Sequence, residues 1–316
     1  MRNYADVPNI HTRIYAMKSR LFSLRDYILM IREPETLPGH VSGIQDPIQA
    51  KEKLFEEQIA PIFPLVAAHE KYTPFFIAHL RQYEAHNAKI LLATAAGHHS
   101  FRQWYNIGPF AALDRGLLEE RLSLDDVKTL LAGIYQDETF RAISGYRQLV
   151  VHLDDCTARN LYRSAELLVG SAAAEFREMM LKRLAVMTLI WSYRLGVHHR
   201  LPQEKVRFYM DKFQALYGGS AWYRVGLEQD ALSAYLEQKR KDTGQEPSVT
   251  EVEHYLEQTY YAWISRAFHR DFHSIYCVVS YLWLLYYQIR NLFRIIDGRR
   301  YGLAADEIIR RMICES

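Results

Sequence analysis

The chain has 316 residues, 49% of them hydrophobic and 24% charged, with a formal net charge of +2. That supplies apolar side chain for a large buried core and excludes a disordered chain. Lysine and arginine are interleaved with aspartate and glutamate instead of forming a basic stripe, so no nucleic-acid partner is expected.

Breakers are sparse, with 15 Gly and 10 Pro, and 22 Tyr add apolar area with a polar tip; both favour packed helices. The first residues carry no apolar signal core, so secretion is not expected. Ile14, Met17, Leu21, Leu24 and Ile28 recur at three- and four-residue steps and predict one amphipathic helix. Residues 33–47, with Pro34, Pro38, Gly39, Gly43 and Pro47, predict a loop. Residues 51–69 predict a helix broken or kinked by Pro61 and Pro64. Pro74 then sits in the first turn of a long helix from Thr73 to about Gly97, where its missing N–H does no harm. Gly108 and Pro109 mark a turn, and Ser123 with Asp126 forms a capping box before Val127, Leu130 and Leu131.

Residues 154–169 and 172–196 predict a helix pair, with Asp154 and Asp155 opening the first, where the helix dipole favours acids. Pro202 begins another helix that ends near Gly218 and Gly219. A polar segment, 239–247, precedes a second capping box at Ser248 and Glu251. Long helices follow to Asp297, then a short one over 304–314. The uncharged run Ser274–Ile289 is shorter than the roughly 20 residues that span a bilayer, so it predicts a helix buried in protein. No strand-like alternation of useful length occurs, and the fold class is all-α.

Three stretches of the chain are versions of one another. Their anchors are Asn87, Thr188 and Asn291, spaced by 188 − 87 = 101 and 291 − 188 = 103 residues. Leu80, Leu181 and Leu284 stand seven residues before them, and Tyr83, Leu184 and Tyr287 four before. His98, His198 and Gly302 follow at ten or eleven residues. The period predicts three copies of one helical unit, divided as 1–110, 111–215 and 216–316. On a helix, Asn87 shares a face with Leu80, Tyr83 and Leu91, and Asn291 with Leu284, Tyr287 and Ile295. A buried amide left unpaired costs about 1–3 kcal/mol, so each Asn is expected to bond a neighbouring element and fix packing. Thr188 keeps one donor and one acceptor for the middle copy.

No catalytic constellation assembles in sequence. His269 and His273 have the i, i+4 spacing of two metal ligands but lack a third, and a half-exposed helix face accounts for them. His98, His99, His198 and His199 fall at equivalent repeat positions and are expected at helix ends. Asp154 and Asp155 lack the further acid of an aspartate-rich diphosphate motif. P-loop, dinucleotide and nucleophile-elbow patterns are missing. Neither catalytic residue, cofactor nor metal site is expected. Cys156, Cys277 and Cys314 are far apart, which argues against a disulfide framework or structural zinc and for a reducing compartment.

The C-terminal stretch Gln288, Arg290, Asn291, Gly298, Gly302 and Leu303 resembles the close of the C subunit of V-type and A-type rotary ATPases, the family of eukaryotic subunit d. Gly298 stands seven residues after the Asn, and Gly302 with Leu303 eleven and twelve after. The stretch from Arg13 to Leu21 is similar to the family's opening helix, and Tyr83, Asn87 and Lys89 to its Tyr-Asp-x-x-Asn-x-Lys helix. Glu84 replaces the usual Asp, Thr188 and Ala185 replace the Asn and acid of the middle copy, and 217–247 match nothing in the pattern.

The resemblance implies three similar helical domains in a pseudo-threefold funnel. It implies a non-catalytic central-stalk subunit, one copy per complex. Such a subunit is a socket between the D and F shaft and the membrane proteolipid ring, coupling ATP turnover to proton or sodium transport. It implies a peripheral position on the cytoplasmic face of the plasma membrane. Asn87, Thr188, Asn291, Gly298 and Gly302 are its expected structural anchors; shaft and ring contacts are not legible. The alternatives are an all-helical metal-dependent enzyme and a generic helical-repeat scaffold.

Overall fold

The computed structural model describes residues 6–70, 72–98, 103–168, 170–198, 200–215, 219–271 and 273–315. Its α-helices in chain order are α1 (Asp6–Lys18), α2 (Leu24–Arg32), α3 (Pro47–Ile59), α4 (Phe63–Ala68), α5 (Thr73–Ala95), α6 (Leu124–Tyr135), α7 (Thr139–Ala142) and α8 (Tyr146–Arg163). They continue with α9 (Ser171–Tyr193), α10 (Gln203–Ala215), α11 (Gly219–Thr243), α12 (Val249–Phe268), α13 (Ile275–Arg300) and α14 (Ala305–Arg310). Among the described residues there is no strand, so the chain is all-α. Nor is any described helix long and apolar enough to cross a membrane.

Local chemistry accounts for several boundaries. Both capping boxes form: the Ser123 hydroxyl faces the Asp126 backbone N–H while the Asp126 carboxylate reaches back, and Ser248 and Glu251 do the same for α12. Pro61 and Pro64 divide α3 from α4 through a 3-10 turn, Ala60–Ile62. Three expectations are corrected. The predicted first helix is two, because Ser23 and Asp26 make a further reciprocal cap that starts α2. Asp154 and Asp155 lie inside α8, which starts at Tyr146, and do not open a helix. The polar segment from 239 begins as helix: α11 runs to Thr243, and Gly244, at φ +68°, turns the chain out.

The chain divides into two compact units, each discontinuous in sequence. The first takes the residues up to Ile10, Tyr27–Leu168 and Leu292–Ile308. In it α5 packs on α8 and α6 around Leu92, Val127, Leu131, Phe140, Leu149 and Leu153. The second takes His11–Asp26, Val169–Asn291 and the residues from Ile309. There α9 packs against α11 and α12, burying Phe176, Met179, Leu256, Tyr260 and Ile264. The uncharged run, residues 274–289, lies in this unit and is buried almost throughout, as a protein-core helix requires.

Candidate functional site

Asn87 and Asn291 sit where backbone outside the regular helices is tied down. In the first unit the Asn87 amide donates to the Tyr105 carbonyl (2.8 Å), and its oxygen accepts the Tyr105 N–H (2.9 Å). Three residues earlier on α5, the Glu84 carboxylate accepts the N–H groups of Ala112 and Leu113 (2.7 Å to the latter). Glu52 on α3 accepts the Trp104 N–H (2.7 Å) and pairs with Arg115. The loop that leaves α5 is thus laced to the helix by carboxylate and amide groups instead of by a sheet ladder. Burial pushes the Glu84 carboxyl up, against the loop N–H groups and Arg81, which favour its ionised form.

The second unit repeats the device. Asn291 donates to the Ile313 carbonyl (2.8 Å) and accepts its N–H (3.0 Å), while Gln288, again three residues earlier, accepts the Phe22 N–H (2.7 Å). The expected face is buried in both cases: Leu80, Tyr83 and Leu91 beside Asn87, and Leu284, Tyr287 and Ile295 beside Asn291. Thr188 differs. Thr188 donates to the Leu184 carbonyl of its own helix (2.8 Å), and Ala185 stands where Glu84 and Gln288 act. A hydroxyl carries donor and acceptor on one atom, whereas an amide separates them and so reaches both the N–H and the C=O of one residue.

The glycines have separate jobs. A Cβ on Gly298 would stand 2.6 Å from Cγ1 of Ile308, so this position admits α14 against α13. Gly302, at φ +65°, closes α13 with the Leu303 N–H on the Gly298 carbonyl (2.8 Å). Gly97, at φ +74°, closes α5 in the same way, with the His98 N–H on the Ala93 carbonyl (2.8 Å). The residue that corresponds to Gly302 in cap geometry is therefore Gly97; the His98 ring packs on Tyr146. His99 and His199 lie outside the described residues, as does the side chain of His198. The π-helical turn Arg194–His198 ends the middle helix.

Two side-chain clusters were not legible in sequence. In the second unit Arg183 on α9 donates to both oxygens of Glu257 on α12 (2.7 and 3.3 Å). The Tyr287 hydroxyl donates to the same carboxylate, and Arg290 lies 3.4 Å from it. The Arg183 guanidinium stacks over Tyr260 and Trp283, 5.2 and 4.9 Å from their ring centres. Burial pushes the Glu257 carboxyl up, but Arg183 and Arg290 outweigh it and hold it at about 2. In the first unit Asp137, His152 and Cys156 converge beside Arg159. The pair His269 and His273 does not occupy one helical face, because α12 ends at Phe268; both are exposed, and His269 packs on Phe268 and Tyr15.

All-α architecture, backbone clamps and buried ion pairs describe a tightly packed helical chain. A family model described as ATP synthase (C/AC39) subunit matches residues 52–311. That is 311 − 52 + 1 = 260 of 316 residues, and the chain belongs to this family of V/A-type rotary ATPase subunits. A comparison with curated proteins finds no match.

Proposed function

We propose that the chain is the central-stalk socket of its rotary ATPase, receiving the D and F shaft and seating on the proteolipid ring. It is non-catalytic, present once per complex, and peripheral on the cytoplasmic face of the plasma membrane. The observation that carries this proposal is the family match over residues 52–311 in an all-helical chain. Support comes from the lacing of loops to helices in each unit, which suits a part that must pass torque without yielding. We further propose that 1–110, 111–215 and 216–316 are three related segments in a pseudo-threefold funnel, anchored at Asn87, Thr188 and Asn291. The shared Asn geometry at the first and third anchors favours this.

The test is purification of the tagged chain from mildly solubilised membranes, with native mass measurement of what accompanies it. One copy in an ATP-hydrolysing assembly that includes shaft and ring subunits is expected. Recovery of the chain alone, or with unrelated partners, would reject the proposal in favour of a generic scaffold.

A further inference from the structure

We propose that Asp137, His152 and Cys156 form a binding site for a zinc-like divalent cation in the first unit. The three side chains come from two elements. His152 and Cys156 are one turn apart on α8, and Asp137 follows Gln136, whose left-handed backbone (φ 52°) ends α6. The turn aims the carboxylate at the helix. His152 Nε2 lies 3.2 Å from Asp137 Oδ2, Cys156 Sγ lies 3.4 Å from the same oxygen, and Sγ lies 3.5 Å from Nε2. A tetrahedral ion with bonds of about 2.0–2.3 Å holds its donor atoms roughly 3.3–3.7 Å apart. The three atoms therefore already stand near the edge lengths of one face of such a site.

The donor set selects the ion. One thiolate, one imidazole and one carboxylate suit a borderline-soft cation of the zinc type and disfavour magnesium or calcium, which take oxygen ligands. The surroundings hold the ligands still. Cys156 is 3% exposed. The His152 ring packs edge-on against Phe140, 4.6 Å between centres, and the Thr139 N–H holds the other Asp137 oxygen at 3.0 Å. His152 and Asp137 are half-buried and leave the ion a way in.

Without an ion, Arg159 supplies the positive charge. Its Nη2 donates to Sγ (3.0 Å) and to Asp137 Oδ2 (3.3 Å), and it pairs with Asp155 at 3.1 Å. Loading releases the Cys156 thiol proton to solvent and draws the guanidinium back to Asp155, whose second oxygen is buried without a hydrogen-bond partner. The ion then pins the turn after α6 to α8. Arg159 is a competitor for the same donors, not a ligand.

The experiment uses the full chain, freed of metal, and titrates it with Co²⁺ and then Zn²⁺. The expected result is one equivalent of Co²⁺ giving a sulfur-to-cobalt charge-transfer band and the intense visible bands of a tetrahedral site, both removed by Zn²⁺. Cys156→Ser should abolish the charge-transfer band, and His152→Ala and Asp137→Asn should each weaken binding about 100-fold or more, beyond what loss of an outer-shell partner costs. Arg159→Gln should tighten it. His152→Ala, at a half-buried position, serves as the check if Cys156→Ser fails to fold. The proposal is overturned if the folded chain gives no thiolate band, or if His152→Ala binds cobalt as tightly as the parent.

Discussion

At the residue scale, the two asparagines illustrate how a side chain substitutes for secondary structure. Each bonds the N–H and C=O of a residue that lies outside the regular helices. Asn87→Ala and Asn291→Ala should each lower stability by about 1–3 kcal/mol in urea unfolding, whereas Thr188→Ala, whose hydroxyl donates to a carbonyl of its own helix, should cost less. Asn87 and Asn291 stand out in the sequence because an amide on an apolar helix face is a local anomaly. The Arg183–Glu257 pair does not, since the two residues are 74 apart in sequence and each is ordinary in its own helix. Its effect on pH dependence has a definite sign. The Glu257 carboxyl lies at about 2 in the folded chain, below its ordinary 4.5, so its contribution is complete above that ordinary value and is lost as pH falls through the folded one. The parent chain should lose urea resistance steeply between about pH 4.5 and 2. Glu257→Gln should be destabilised at neutral pH by about 3 kcal/mol or more and show a flatter dependence over that window. A parallel acid profile in the two proteins would show that other carboxylates control it.

At the element scale, helix ends were written in the sequence where capping chemistry is local. Ser123 with Asp126 and Ser248 with Glu251 could be read directly. Ser23 with Asp26 is the same pattern and was masked by apolar periodicity running through it. Helix α11 was illegible because its apolar residues form no single stripe; its buried members include Glu228, paired with Lys182, and its Tyr235 stacks on Tyr255 with centres 3.9 Å apart. The Asp137 cluster was also hidden, because the turn that aims the carboxylate is set by Gln136 in a conformation no residue type announces. Packing of α14 on α13 gives the prediction proper to this scale. Gly298→Ala places a methyl within 2.6 Å of Ile308 and should cost about 1–3 kcal/mol. Adding Ile308→Ala should produce a double variant more stable than the sum of the single losses, because the smaller side chain removes the clash that defines the first. Strict additivity in a double-mutant cycle would show that the two positions do not meet.

At the scale of the whole molecule, the described helices include none able to cross a bilayer, and the net charge of +2 offers little general attraction to an anionic surface. On the proposed function, residence at a membrane comes from protein contacts. Purified chain mixed with vesicles of anionic lipid should remain in the supernatant on sedimentation. Membranes carrying the cognate proteolipid ring, stripped of peripheral subunits, should retain it saturably at one copy per ring. Added salt should weaken retention only modestly, because a broad interface with an apolar centre is less screened than a purely charged one. Partition onto bare lipid would instead indicate an amphipathic surface acting directly on the bilayer and would remove the ring from its place in the proposal. Lack of retention on stripped membranes, with the chain folded and monomeric, would point to the shaft as the sole attachment. Binding to the isolated D and F pair would then decide between a socket with two faces and one with a single face.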